Sequence, residues 1–67
     1  MDDLEKLKTL LPHWMKHNDE HAETYKEWAG KMSSLGKEES AEALRAIHRE
    51  SQKLRELFQE ALRVVDT

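Results

Sequence analysis

The sequence predicts an all-α protein: an antiparallel helical hairpin that dimerises into a four-helix bundle. Apolar residues recur at alternating steps of three and four along both halves of the chain, one loop-like cluster separates the halves, and no alternating β pattern competes with them. The chain has 67 residues and no cysteine, so we expect one domain over residues 1–67 without disulfides or thiolate sites.

The first helix is predicted over residues 2–34. Asp2 and Glu5 have the spacing of a capping box, which indicates a start close to the N-terminus. Pro12 cannot donate a backbone hydrogen bond and disfavours helical geometry at the residue before it. The helix therefore either kinks at Pro12 or breaks there, leaving a short separate helix over residues 2–10, and proline's preference for a first turn slightly favours the break. The apolar stripe of this helix consists of Leu4, Leu7, Leu11, Trp14, Asn18, His21, Tyr25, Trp28, Met32 and Leu35.

The turn is predicted at residues 33–37, where Gly36 suits the left-handed backbone position that follows a helix. The second helix is predicted over residues 38–65. Glu38 and Glu39 fall in its first turn, where acidic side chains favour the positive end of the helix dipole. Its apolar stripe consists of Leu44, Ile47, Ser51, Leu54, Phe58, Ala61 and Val65, and the flanking residues Leu10, Leu57, Leu62 and Val64 widen the two stripes.

A lone hairpin cannot cover aromatic stripes of this width. Two helices share only one face, whereas four helices enclose a core, and two-fold symmetry is the commonest way to pair two copies. The sequence therefore predicts a homodimer, with docking on another protein as the alternative. The residues expected to be buried in the bundle are Trp14, Tyr25, Trp28, Leu54 and Phe58.

Composition argues against several functional classes. The net charge is −3 with both signs interspersed, which disfavours a nucleic-acid binder. No apolar run approaches the roughly 20 residues of a membrane span, and the charged N-terminus has no signal-peptide core, so we expect a cytoplasmic protein that does not enter membranes. A two-helix chain offers little concavity for shifting pKa values or excluding water, so no enzyme activity is expected.

Polar residues interrupt the apolar stripes at one level. Asn18 and His21 occupy stripe positions on the first helix, and Ser51 occupies one on the second. Antiparallel pairing around Gly36 sets His48 at an offset of about 3 Å from His21 along the axis. One interpretation is structural: Asn18, His21 and Ser51 form a hydrogen-bonded layer that fixes register and oligomeric state.

The other interpretation is a metal site. His17 lies one turn before His21, so these two side chains share a face of the helix, and His48 approaches from the second helix. Neutral imidazoles suit divalent zinc, nickel, cobalt or copper, and a carboxylate can complete the shell. His13 lies about 12 Å from His21 along the helix and forms at most a weaker second site with His17. The candidate ligands are His17, His21, His48, His13, Glu20 and Glu50.

One segment also resembles a known module. The run Leu11-Pro-His-Trp-x-x-His-Asn-x-x-His-Ala22, followed by Tyr25-x-x-Trp28-Ala29, is similar to a short helical module of small bacterial and archaeal proteins that is loosely associated with metal-handling and metallocofactor maturation. The resemblance covers residues 10–30. It implies a helical hairpin and no known reaction, and the residues it points to are His13, His17, Asn18 and His21.

Overall fold

The computed structural model describes residues 2–66 as two α-helices, α1 (Asp3–Ser34) and α2 (Glu38–Val65). They pack against each other as an antiparallel hairpin whose Cα atoms span 51 × 17 × 11 Å. The predicted helical hairpin is therefore confirmed, and no strand occurs within the described residues. Neither helix is long and apolar enough to cross a membrane.

Helix α1 begins with a side-chain cap and runs through its proline. The Asp2 carboxylate oxygen Oδ1 accepts a hydrogen bond of 2.9 Å from the backbone N–H of Glu5, as the capping spacing predicted. Pro12 lies inside one uninterrupted helix, so the break that proline favoured does not occur. Leu11 is buried and Met15 is half-buried, which means that packing against α2 extends across the proline and opposes a break.

The turn closes α1 with a Schellman motif. Gly36 has a φ angle of +74°, a left-handed conformation that costs glycine nothing because it has no Cβ. The N–H of Lys37 donates to the carbonyl oxygen of Met32 at 2.9 Å, and the N–H of Gly36 donates to that of Ser33 at 3.0 Å. The hydroxyl of Ser33 also donates to the carboxylate of Glu38 at 2.7 Å, which ties the end of α1 to the start of α2.

The two helices meet along a seam whose residues follow heptad spacing. Its most buried members are small: Ala41 is fully buried, and Ala22, Ala29 and Ser51 are nearly so. Alanines let two helix backbones approach closely, but they bury little apolar surface, and no large side chain is fully buried in the described part of the chain. The seam residues are Leu11, Met15, Asn18, Ala22, Tyr25, Ala29 and Met32 of α1, and Ala41, Leu44, His48, Ser51, Arg55, Phe58, Leu62 and Val65 of α2.

The predicted stripes match only one of the two heptad positions that form this seam. Residues such as Leu11 and Tyr25 do lie in the seam, and Tyr25 and Phe58 are half-buried. The second predicted position, which includes Trp14, His21 and Trp28, lies one residue before the seam residues and is exposed. Trp14 keeps 43% of its surface exposed, Trp28 46% and Leu54 45%. Packing of α1 on α2 therefore does not bury these three side chains.

Candidate interaction face and histidine pair

Seven of the ten large apolar side chains that are exposed come directly before a seam residue: Leu10, Trp14, Trp28, Ile47, Leu54, Leu57 and Val64. Successive residues of a helix are about 100° apart, so this position lies to one side of the seam. Because the helices are antiparallel, they turn in opposite senses when viewed from one end, and the two sets point to the same side of the hairpin. We call this side the apolar face: Leu10, Trp14, His17, His21, Thr24, Trp28 and Lys31 of α1, and Ser40, Ala43, Ile47, Glu50, Leu54, Leu57, Ala61 and Val64 of α2.

The residue directly after each seam residue lies on the opposite side, which is polar. We call it the charged face: Pro12, Lys16, Asp19, Glu23, Lys26, Gly30 and Ser33 of α1, and Glu42, Arg45, Arg49, Gln52, Glu56, Gln59, Arg63 and Asp66 of α2. The hairpin is thus a thin two-helix layer with unlike sides. Large exposed apolar patches mark interaction sites in soluble proteins, so the apolar face is the candidate functional surface.

Three polar contacts cross the seam and fix the helices at mid-length. The side-chain amide Nδ2 of Asn18 donates to the carbonyl oxygen of Ser51 at 3.0 Å. The Nδ1–H of His48 donates to the carbonyl oxygen of Ala22 at 2.9 Å. On the charged side, Arg55 Nε donates to both carboxylate oxygens of Asp19, at 3.0 and 3.2 Å. Asn18 and Ser51 are thus joined across the seam through the backbone carbonyl of Ser51, and not through its side chain.

His21 belongs instead to a pair on the apolar face. Its Nε2 lies 3.1 Å from Nε2 of His17, one turn earlier, so one imidazole donates to the other. The two ring centroids are 4.4 Å apart. On its other side, the His21 ring stacks on Tyr25 at 6.2 Å with an angle of 17° between the ring planes. Both histidines are exposed, and they lie on the α1 part of the apolar face between Trp14 and Trp28.

The remaining candidate ligands do not complete this pair to a three-residue metal site within the described residues. His13 and Glu20 line a surface depression of about 100 Å³ with Lys16 and His17, formed entirely by side chains of α1. Glu50 Oε1 accepts from Lys53 Nζ at 3.2 Å on α2. Within residues 2–66, no three histidine or carboxylate side chains gather closely enough to hold a metal ion. One chain therefore does not bring His17, His21 and His48 together as one site.

Apart from Asp19–Arg55, the surface ion pairs that the structure describes join residues within one helix. Arg63 donates to the carboxylate of Glu60, which lowers the pKa of Glu60 and raises the pKa of Arg63 above their ordinary values. Arg45 pairs in the same way with Glu42, and Lys53 pairs with Glu50. Exposed pairs of this kind contribute little to stability.

Sequence reasoning missed the small residues that let the helices approach. Ala22, Ala29 and Ala41 form the tightest part of the seam, and the heptad spacing of Ala22 and Ala29 was a signal for it. The Asp19–Arg55 pair was also missed. It joins residues 36 positions apart, and nothing in the local sequence indicates it.

Fold and site together define a class of protein: a small antiparallel helical hairpin with one apolar and one charged face, and a histidine pair on the apolar face. A family model described as Domain of unknown function (DUF8180) matches residues 7–65, and the chain belongs to that family. Searches of the curated proteins and of the solved structures found no match to this chain.

Proposed function

We propose that the protein is a non-catalytic interaction module whose apolar face pairs with the apolar face of a second copy, giving a four-helix bundle. The observation that supports this proposal is the sorting of side chains around the seam. Most of the large apolar residues that the hairpin leaves exposed lie on one side, together with Lys31 and Glu50, and the opposite side is mainly charged or polar. A hairpin of this kind is half of a bundle.

The size of the apolar face favours a second copy. The broad side of the hairpin measures 51 by 17 Å between Cα atoms, and this outline on the order of 900 Å² is large enough for the roughly 800 Å² of accessible surface that each partner contributes to a standard interface. The hairpin alone also lacks a core, since its buried apolar residues are one leucine and three alanines. A chain this small without disulfides needs further packing to be stable, and pairing of like faces supplies it through closed two-fold symmetry.

The test is to place one charge on each face in turn. Leu57 is 65% exposed in the hairpin, so Leu57→Glu leaves the α1–α2 packing intact. In the dimer, however, it places a carboxylate in the apolar interface of each copy. Two such charges cost more than about 3 kcal/mol, so the dissociation constant should rise at least 100-fold. Gln59→Glu adds the same charge on the charged face of the same helix and is the matched control.

Sedimentation equilibrium gives the result directly. Wild type and Gln59→Glu should be dimers at micromolar concentration, and Leu57→Glu should be a folded monomer by circular dichroism. Tryptophan emission is a second readout, because Trp14 and Trp28 both lie on the apolar face and should shift to shorter wavelength on pairing. A folded wild-type monomer at tens of micromolar would reject the second copy as partner and would leave docking on another protein.

Metal handling is a second candidate function, which the His17–His21 pair favours. A zinc–nitrogen bond is 2.0–2.1 Å long, so two nitrogens on one tetrahedral ion lie about 3.3 Å apart. The Nε2 atoms of this pair are 3.1 Å apart and thus already have nearly the separation of a chelate. The resemblance of residues 10–30 to a module of metal-handling proteins points to the same residues. Imidazole donors suit zinc and nickel, and copper as well.

A further inference from the structure

The histidine pair has the geometry of half a metal site. Two imidazole nitrogens at 3.1 Å can both bind one ion, but a structural zinc site takes four protein ligands. No third histidine or carboxylate joins the pair among residues 2–66. His48, the ligand expected from α2, lies in the seam, where its Nδ1–H bonds the carbonyl oxygen of Ala22. The missing ligands therefore have to come from outside this chain.

A second copy of the chain can supply the missing ligands at the same position along α1. Helix α1 runs from Asp3 to Ser34, so its midpoint falls between Asn18 and Asp19. His17 and His21 straddle Asp19 and are centred within one residue, or about 1.5 Å, of that midpoint. A two-fold axis that crosses the hairpin at mid-length gives the two apolar faces full overlap and stacks α1 on the other α1 in antiparallel orientation. The two histidine pairs then meet at the axis.

The same symmetry fits the large side chains to one another. With the axis placed at the level of Asp19, the centre of the histidine pair and about half a residue from that midpoint, residue i of one α1 faces residue 38 − i of the other. Trp14 then lies opposite Thr24, a smaller residue, and Trp28 lies opposite Leu10. The bulkiest side chains of the face thus meet smaller ones, as interlocking packing requires. The centre of the interface, where His17 and His21 of the two copies would meet beside Glu50 of α2, is the level that needs a ligand to satisfy the imidazole nitrogens.

We propose that His17 and His21 of two copies bind one zinc ion between them, in a four-histidine site on the two-fold axis. The proposal rests on the pairing of apolar faces proposed above. Four protein ligands leave no open position on a tetrahedral ion, so the zinc is structural. It joins the two copies and replaces the imidazole–imidazole hydrogen bond of each hairpin.

The experiment separates the metal site from the dimer. Tag-free protein is first analysed by sedimentation equilibrium in chelator, which tests face pairing alone, and is then titrated with zinc chloride by calorimetry. We expect one zinc per two chains and a higher melting temperature with zinc than with chelator. His17→Ala and His21→Ala each remove two of the four ligands and should lower zinc affinity more than about 100-fold. His13→Ala, on the same helix but outside the apolar face, is the matched control and should bind zinc as wild type does.

Two results would overturn the site. If the protein is a dimer in chelator but binds no zinc and shows no rise in melting temperature with zinc, face pairing is supported and the metal site is rejected. Binding of one zinc per chain that His13→Ala abolishes would place the ion on His13 and His17 of a single helix. Both histidines of the pair are exposed, so each alanine variant should fold, and circular dichroism checks that it does. Monomers in chelator that stay monomeric with zinc would reject both proposals.

Discussion

Replacing Asn18 by leucine is expected to leave the free energy of unfolding within about 1 kcal/mol of wild type. The hydrogen bond from Asn18 to the Ser51 carbonyl oxygen is 3.0 Å long, and its loss costs about 1 kcal/mol. The carbonyl is not left unpaired, because inside α2 it also accepts the N–H of Arg55. Leucine at this half-buried position returns about 1 to 1.5 kcal/mol through apolar burial, so the two effects nearly cancel.

Asn18→Ala is the matched control. It removes the same hydrogen bond but restores little apolar contact, so it should destabilise the fold by about 1 to 2 kcal/mol. Urea unfolding followed by circular dichroism at 222 nm measures both variants. All samples need equal chain concentration, since the stability of a dimer depends on concentration. The expected order of midpoints is wild type close to Asn18→Leu, with Asn18→Ala below both.

One outcome would refute this reasoning. If Asn18→Leu lost more than about 2 kcal/mol, the amide would be contributing more than one cross-seam bond, and the hairpin would depend on a polar layer for its fold. That result would support the structural interpretation of the sequence, in which Asn18 and Ser51 specify the helix pairing. If only Asn18→Ala lowers the free energy of unfolding, Asn18 contributes one ordinary hydrogen bond to the seam.

Two further predictions concern the backbone. Gly30→Ala should stabilise the protein by about 1 kcal/mol, because Gly30 lies inside α1 with open space where a Cβ would be. Gly36→Ala should destabilise the protein by about 1 to 2 kcal/mol, because φ at Gly36 is +74°. Thermal unfolding of the two variants should therefore give shifts of opposite sign, and equal signs would contradict the assignment of the turn. Pro12→Ala should raise stability by about 1 to 3 kcal/mol, since alanine restores the N–H that proline lacks in the interior of α1. A lower melting temperature for Pro12→Ala would mean that the bend or rigidity of proline is needed for packing.

The helices and the turn could be read from the sequence because each depends on local signals. The apolar period sets the two helices, and Gly36 sets the turn, where its left-handed φ is the conformation that glycine adopts most readily. At Pro12, the apolar stripe that continues through the proline and the preference of proline for a first turn predicted different structures. The slight preference for a break was wrong because Leu11 and Met15 pack on α2 from both sides of the proline, a long-range contact that local propensity does not contain.

The choice of seam could not be read from the sequence with the same certainty. Each heptad offers more apolar positions than a two-helix contact can use, and size favoured the tryptophans as the buried set. The structure instead uses Ala22, Ala29 and Ala41, because small side chains allow the helix axes to come close, while bulky ones would hold them apart. The same surplus of apolar positions leaves the apolar face exposed, and this is the basis of the proposed dimer.

For the candidate metal ligands, the sequence predicts the level of each histidine along the hairpin but not the direction in which its side chain points. Antiparallel counting gives the level of a residue along the hairpin, and His48 does bond at the level of Ala22, next to His21. Counting does not give rotation about the helix axis. His48 is a seam residue while His21 lies one residue, or about 100°, away from the seam, so the two imidazoles face different directions.

The position of the histidine pair links the two proposals physically. A surface that only had to exclude water would have apolar residues at its centre, where burial is most complete, and polar ones at its rim. The apolar face has the reverse order on α1, with tryptophans on either side and His17 and His21 in the middle. Burying two imidazoles from each copy is costly unless their nitrogens are satisfied. A shared zinc binds one nitrogen of each of the four imidazoles at the one level where two-fold symmetry brings them together, so a metal would strengthen the interface at the point where its packing is otherwise weakest.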